Sequence, residues 1–241
     1  MIARALRKKV SESIGLIVPS ITNPYYPEFV RGVEDQADKE NLTLFICNSD
    51  RVEEKEIKYI NSLMKKSVDG FIIMNPQLSL VELSELENAN FVVIGVDDNI
   101  NSRLNIVNAS ATVGVLQGME LLYSYGHRNI GFLTGVGDTF ADINKFKAYN
   151  YFIESKGIIK NEQYIVNCNY TWDSGYSGGK ELLSLANPPT AIFAANDLMA
   201  LGALKAARDL NISVPEDVSI LGHDDIEMCK YSDPPLTTIH Q

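Results

Sequence analysis

The sequence predicts an α/β protein made of two doubly wound lobes, each with a parallel sheet covered by helices on both faces. Short and nearly continuous apolar runs, such as SIGLIV at 13–18 and NIGFLT at 129–134, are typical of strands buried on both faces. Segments with apolar residues at helical spacing separate these runs, which indicates amphipathic helices. The alternation starts again at Asn129, so we expect two similar lobes with a ligand cleft between them.

The elements of the first lobe follow one another without a long linker. Strand 13–18 precedes a helix marked by apolar residues at helical spacing, namely Tyr26, Phe29, Val30, Val33 and Ala37. Apolar runs predict further strands at 42–47, 70–74 and 91–96, and a second helix around 57–64. We place the end of this lobe at the turn formed by Gly126 and His127, which makes 10–125 the first lobe and 1–9 a linker.

The second lobe, 126–241, repeats the pattern of the first. Apolar runs predict strands at 129–134, 164–166, 190–194 and 217–221. Helical spacing predicts helices near 142–155, 177–185 and 198–210. Because strand and helix alternate here as well, this lobe is also expected to hold a parallel sheet.

Composition and charge restrict the function classes. The 241 residues carry 21 Lys and Arg against 31 Asp and Glu, and four of the cations lie within the first nine residues. The rest of the chain is acidic and repels nucleic acid, so only the N-terminal residues favour contact with DNA. No apolar run of about 18 residues predicts a membrane helix, and no signal-peptide core follows the basic start. Three scattered cysteines suit a reducing compartment, so we expect a cytoplasmic protein.

Enzyme motifs are weak in this sequence, and we expect no enzymatic activity, no cofactor and no metal. Gly135 and Gly137 follow a predicted strand but lack the third glycine of a dinucleotide-binding fingerprint. The three histidines show no metal-binding spacing. Neither a Gly-x-Ser-x-Gly elbow nor a phosphate-binding loop occurs.

Polar side chains follow two predicted strands of the second lobe. Asn196 and Asp197 come after the run 190–194, and Asp224 and Asp225 come after the run 217–221. In open α/β sheets, ligands bind outside the carboxyl ends of the strands, where such side chains collect. The pattern therefore predicts a receptor for a small polar molecule such as a polyol.

Six segments spread over the whole chain carry a family resemblance: SIGLIVPSITNPYYPEFVRGVEDQA, SVDGFIIM, YGHRNIGFLTG, AANDLMALGAL, VPEDVSILGHDD and PPLTTIHQ. In order and spacing they resemble the LacI/GalR family of bacterial transcription regulators. The resemblance implies a type I periplasmic-binding-protein-like fold, a homodimer, and an effector between the lobes that controls operator binding. A solute-binding receptor for sugar uptake is the alternative with the same fold. The missing signal peptide and the ARAL segment favour the regulator.

The two ends of the chain depart from a full-length family member. IARALRKK at 2–9 resembles the family's hinge helix, and the resemblance assigns Ala3, Arg4 and Leu6 to the DNA minor groove. The alternative is an untethered tail, because so short a segment forms no stable helix alone. No DNA-binding headpiece precedes it, so we expect operator binding only together with a headpiece. The family continues beyond Gln241, so we expect the first lobe to lack its return segment and apolar surface to be exposed.

The resemblance assigns seven positions to effector binding: Tyr25, Tyr26, Asp142, Tyr170, Asn196, Asp224 and Gln241. Of the two adjacent tyrosines, we expect one to pack the start of the helix and the other to line the cleft, and either residue suits either role. Trp172 competes with Tyr170 for the aromatic that stacks on the ligand. The alternative role of Asn196 is to cap the following helix, although Asp197 is the better candidate for that cap. Asp225 is expected to cap the loop rather than to bind the ligand.

Two segments depart from the family pattern and leave the nature of the effector open. Asp142 stands where the family usually has an arginine, and Lys145 stands at the family's glycine. Together with Asp224, two carboxylates then face one ligand, which favours a ligand rich in donors and disfavours an acidic one. The alternative is that Asp142 caps its helix and points to solvent. Ser110 or Asn108 stands where the family has an aspartate. We expect the effector to be a sugar, amino sugar, nucleoside or polyol.

Overall fold

The computed structural model describes residues 11–78, 92–96, 105–107, 109–137 and 139–241. Its contacts divide the chain into two compact units, Met1–Ala109 and Ser110–Gln241. Each unit holds a five-stranded sheet, and the strands pair in parallel. The predicted α/β class with two parallel sheets is confirmed.

The first unit alternates strands and helices, in the order β1 (Ser13–Val18), α1 (Tyr25–Lys39), β2 (Thr43–Asn48), α2 (Glu53–Lys65), β3 (Gly70–Met74), β4 (Val92–Val96) and β5 (Asn105–Val107). The strand order in its sheet is β2-β1-β3-β4-β5. Side chains alternate between the faces of a strand, so Leu16 and Val18 pack with Tyr26 of α1. Ile17, on the opposite face, packs with Ile60 of α2. The two helices therefore cover opposite faces of the sheet.

The second unit contains α3 (Ala111–Ser124), β6 (Ile130–Thr134), α4 (Phe140–Ser155), β7 (Ile165–Asn167), α5 (Trp172–Leu183), β8 (Ala191–Ala194), α6 (Asp197–Asp209), β9 (Ser219–Asp224) and β10 (Thr237–His240). Short 3-10 helices precede β7 and follow β9. The strand order is β10-β9-β8-β6-β7. In the core, the ring of Phe132 stacks on Tyr149 and on Phe193, with centroids 4.9 and 5.1 Å apart. Strand β10 was not assigned from the sequence.

The boundary between the units lies at Ser110, whereas the sequence analysis placed it at Gly126. Helix α3 accounts for the difference, because Val115 and Met119 are fully buried in the core of the second unit together with Leu221. Gly126 has a φ of 93° and turns the chain from α3 into β6 inside one unit. The sharp glycine turn is therefore an internal helix-to-strand connection, which corrects the predicted limits 10–125 and 126–241.

Helices α5 and α6 approach each other so closely that glycine is required at their contact. A Cβ atom added at Gly175 would lie 2.2 Å from Cα of Met199, and one at Gly202 would lie 2.3 Å from the carbonyl oxygen of Trp172. Such distances are far below van der Waals contact, so no larger residue fits without moving a helix. The close packing holds the first turns of the two helices side by side.

Several predicted residues lie outside the described part of the chain. They are the hinge residues Ala3, Arg4 and Leu6, together with Asn108. Their assigned roles stay predictions. Within the described ranges, no helix has both the length and the apolar character that crossing a bilayer requires.

Candidate functional site

The carboxyl ends of the strands in the second sheet gather a set of polar side chains. We call this set the carboxyl-edge cluster, and its members are Asp142, Lys145, Tyr170, Asn196, His223, Asp224 and Gln241. They come from five connections, because every parallel strand of the sheet ends at the same edge. Five of the seven effector positions assigned from the sequence lie in this cluster, and their binding role stays a prediction.

Asp142 and Tyr170 contact each other directly. The Tyr170 hydroxyl donates a short hydrogen bond to Oδ1 of Asp142, and the backbone N–H of Gly137 donates to Oδ2 at 3.3 Å. A Cβ atom at Gly135 would lie 2.2 Å from Oδ1 of Asp142, so glycine is needed there for this approach. Of the two glycines that resembled a weak nucleotide motif, Gly135 therefore makes room for the carboxylate, and Gly137 donates its backbone N–H to it.

The expectation that Asp142 caps its helix and points to solvent is wrong. The hydroxyl of Thr139 accepts the hydrogen bond from the backbone N–H of Asp142, at 3.2 Å, so Thr139 is the N-cap of α4. Asp142 is only 4% exposed. Because the cap lies three residues earlier, the Asp142 side chain belongs to the first turn and is directed inward, onto Tyr170.

Asn196 fixes the backbone of Tyr170 to the start of α6. Its Oδ1 accepts from the backbone N–H of Met199 at 2.9 Å, and its Nδ2 donates to the carbonyl of Tyr170 at 3.1 Å. Tyr170 has a φ of 66°, a left-handed conformation that is unusual for a residue other than glycine. The buried amide thus caps the helix and holds a strained residue in place.

Asp197 is not the helix cap that the sequence analysis favoured. It is fully buried, and its carboxylate accepts from the backbone N–H of Ile226 at 2.9 Å and from the Thr238 hydroxyl. Burial raises the pKa of this carboxyl group above its ordinary value, although the hydrogen bonds oppose the shift. Since Asn196 occupies the cap, Asp197 turns inside and ties α6 to the segments around β10.

Trp172, the competing aromatic, lies on the outer side of α5. Its ring stacks on Tyr176 with centroids 5.5 Å apart and an interplanar angle of 8°, and 38% of the residue is exposed. The Tyr176 hydroxyl donates to Asp209 at 3.1 Å. Of the two aromatic residues, Tyr170 is the one in contact with the carboxyl-edge cluster.

Lys145 is one of two members of the cluster, together with His223, that were not assigned to the site from the sequence. It is 5% exposed, and its ammonium donates to the carbonyl of Ala195 at 2.8 Å. Nζ also lies 3.5 Å from Nδ1 of His223 and 5.9 Å from the centroid of the Tyr170 ring. The family pattern predicts a glycine at this position, whereas this chain has a long, buried, positively charged side chain there. Its spacing from Asp142 was the available signal, since residues three apart share one helix face.

His223 joins Lys145 to Asp224 and Gln241. Its Nδ1 lies 3.1 Å from Oδ1 of Asp224 and 3.0 Å from Nε2 of Gln241. The ring is 1% exposed, and burial, with the nearby Lys145 charge, holds the pKa of His223 well below its ordinary value. The imidazole is therefore neutral.

The turn after β9 separates the roles of two adjacent aspartates. Asp224 and Asp225 have φ values of 123° and 60°, which bend the chain sharply. Asp224 stays with His223 in the cluster, whereas the Asp225 carboxylate contacts Nδ1 of His240 at 2.8 Å.

Tyr25 and Tyr26 belong to the first unit. Tyr26 is 4% exposed, packs with Leu16, and its hydroxyl accepts from Arg51 at 3.1 Å. Tyr25 is only partly buried and meets Tyr26 edge to face, with centroids 5.3 Å apart. The packing role that one tyrosine was expected to have falls to Tyr26. In the described residues, no group of three His, Cys, Asp or Glu side chains is placed to hold a metal ion.

Comparison with known proteins places the chain in a family. A family model described as a periplasmic binding protein-like domain matches residues 119–241. The HTH-type transcriptional regulator DegA of Bacillus subtilis (strain 168) is 34% identical over 244 residues, which cover 99% of this chain and 72% of that protein. Catabolite control protein A of Priestia megaterium is 31% identical over 242 residues, covering 100% and 73%.

A solved structure agrees with these relatives. It is a LacI family transcriptional regulator from Enterococcus faecium with bound ribose, at 31% identity and a TM-score of 0.84, covering 95% of this chain and 84% of that chain. The relatives are transcription regulators, as the six sequence segments predicted. This chain belongs to the LacI family of transcription regulators, and its second unit carries the polar cluster described above.

Proposed function

We propose that the chain is the effector-binding core of a transcription regulator, and that the carboxyl-edge cluster of its second unit binds the effector. The continuous polar network from Asp142 through Tyr170, Lys145 and His223 to Asp224 carries this proposal. Such a network is costly to bury and is found where a protein recognises a polar ligand. The regulator with bound ribose supports a sugar or a related polar molecule.

The members of the cluster have complementary chemistry for such a ligand. Asp224 offers carboxylate oxygens to hydroxyl or amino groups, and the Gln241 amide both donates and accepts. The Tyr170 ring offers an apolar face to the carbon skeleton of a sugar. Asp142 and Asn196 hold Tyr170 by its hydroxyl and by its carbonyl. These two are therefore assigned positioning roles.

Ligand binding at this edge regulates DNA binding only if ligand and operator favour different conformations of the protein. We propose that the effector shifts this balance in a cytoplasmic homodimer, with the hinge residues Ala3, Arg4 and Leu6 at the DNA. The charge distribution supports DNA contact through the N-terminal residues, since the first nine residues hold four cations and the rest of the chain is acidic. The relatives are regulators, which supports a binding function without catalysis.

A thermal-shift screen against sugars, amino sugars, nucleosides and polyols tests the site. A ligand that raises the melting temperature of the wild-type chain is expected to lose its effect in Asp224→Ala and in Tyr170→Ala. Trp172→Ala is the matched control, because this aromatic residue lies on the outer side of α5. Full ligand response in both site variants would overturn the assignment.

A further inference from the structure

Lys145 is a buried cation with no ion-pair partner in the part of the chain that the structure describes. It is 5% exposed, and among the described residues its ammonium contacts the carbonyl of Ala195, the ring nitrogen of His223 and the face of Tyr170. Within the described ranges, no carboxylate oxygen lies within 4.0 Å of Nζ, the limit for an ion pair. The three contacts supply dipoles and a ring quadrupole, and none of them supplies a negative charge.

An uncompensated ammonium is expensive to keep out of water. Removing the partner of a buried ion pair strongly destabilises a protein, which shows that the penalty for an unpaired buried charge is large. A purely structural role does not need this charge, because an apolar side chain of the same length fills the space more cheaply. Proteins retain such costly groups where a ligand makes use of them.

The neighbouring carboxylates are directed elsewhere. Asp142 accepts from the Tyr170 hydroxyl and from the backbone N–H of Gly137. Asp224 lies against His223 and Gln241. His223 is neutral, so it neither balances the lysine charge nor adds a second positive charge. The position beside Lys145 therefore suits an anion from outside the chain.

We propose that the effector carries an oxyanion, a carboxylate or a phosphate group, that pairs with Lys145 while its hydroxyl groups meet Asp224. This inference rests on the proposed function, because it names the ligand class of the same site. It reverses the sequence-based expectation that two aspartates disfavour an acidic ligand. In the network of contacts, Lys145 stands between Tyr170, which bonds to Asp142, and His223, which contacts Asp224. One acidic group on the ligand gives the Lys145 ammonium an ion-pair partner.

Matched neutral and acidic probes test the proposal by calorimetry on the full chain. D-Glucose, D-glucuronate and D-glucose 6-phosphate share one ring and differ in charge, and inorganic phosphate tests the anion alone at constant ionic strength. At least one oxyanion probe is expected to bind ten or more times tighter than D-glucose. Preference for glucuronate identifies a carboxylate, and preference for glucose 6-phosphate or inorganic phosphate identifies a phosphate.

Lys145→Met removes the charge at nearly constant volume, and Lys147→Met is the control on the exposed side of the same helix. The first variant is expected to lose at least tenfold in affinity for the oxyanion probe, while the second keeps it. Circular dichroism and melting temperature establish that both variants are folded. Lys145→Gln repeats the test with a polar side chain that still donates to the Ala195 carbonyl.

Two outcomes separate this inference from the proposed function. Binding of a neutral sugar or polyol that requires Asp224 but not Lys145 leaves the proposed function standing and overturns the oxyanion. A chain that responds to no small polar probe, neutral or acidic, overturns both.

Discussion

Glu56 makes the stability of the first unit depend on pH in an unusual direction. The residue lies in α2 and is fully buried. Its Oε2 accepts from the backbone N–H of Gln77 at 2.9 Å, whereas Oε1 has no hydrogen-bond partner among the described residues. Burial raises the pKa of Glu56 from 4.5 to about 7, despite the N–H groups of Gln77 and Leu78. Glu56 therefore carries a proton in the folded chain at a pH where the unfolded chain has lost it.

The sign and size of the effect follow from linkage. The folded chain binds the extra proton between pH 4.5 and about 7, so the free energy of unfolding falls as the pH rises through this window. One pKa unit corresponds to 1.36 kcal/mol, which makes the loss from pH 5 to pH 8 about 2.5 kcal/mol. The contribution of Glu56 to stability is largest below the pKa of this group in the unfolded chain, the reverse of a salt-bridged carboxylate.

Glu56→Gln replaces the titrating group with a neutral one of the same shape. We expect the variant to gain about 2.5 kcal/mol relative to wild type between pH 5 and pH 8. The buried amide costs a constant amount, which cancels when the two pH values are compared. Urea unfolding at four pH values measures the gap, and hydrogen exchange of peptides from α2 and β3 assigns it to the first unit.

Glu54→Gln is the matched control, because Glu54 is an exposed glutamate of the same helix turn. Its stability gap to wild type is expected to stay constant with pH. The reasoning is refuted if the gap for Glu56→Gln also stays constant from pH 5 to pH 8. That result would mean that the folded chain keeps Glu56 ionised.

Three further experiments test the packing and the cluster. Gly202→Ala places a Cβ atom 2.3 Å from a backbone oxygen, and we expect the free energy of unfolding in urea to fall by about 3 kcal/mol. Gly32→Ala is the control, because its Cβ atom meets no atom within 4 Å, and we expect it to be neutral or stabilising. Asn196→Ala loses about 1 kcal/mol with the helix cap, and ligand affinity falls because Tyr170 is released; unchanged affinity would contradict its positioning role. Tyr170→Phe combined with Asp142→Asn is expected to show a coupling of about 1–3 kcal/mol in thermal unfolding, and additive losses would argue against the hydrogen bond.

The carboxyl-edge cluster shows which features of a site can be predicted from the sequence and which cannot. Asn196 and Asp224 were found because polar residues after apolar strands are a local signal, and parallel strands bring their ends to one edge. Lys145 was not assigned because its burial beside Ala195 and His223 depends on the packing of distant segments, and its spacing from Asp142 was the one local signal. The same limit applies to Asp142, whose inward direction depends on a threonine cap and on the space left by Gly135.

By itself, the sequence determined the α/β class, the repeat of the strand–helix pattern and the family, because hydrophobic periodicity and ordered motifs are properties of the chain alone. Only the tertiary structure decided that α3 belongs to the second unit, since Val115 and Met119 are buried against a sheet formed by later residues. It also decided that Lys145 is buried against the Ala195 carbonyl and His223, with no ion-pair partner among the residues that the structure describes. Burial and the distance between charges depend on which distant segments pack together, and the local pattern of residues along the chain does not reveal that packing.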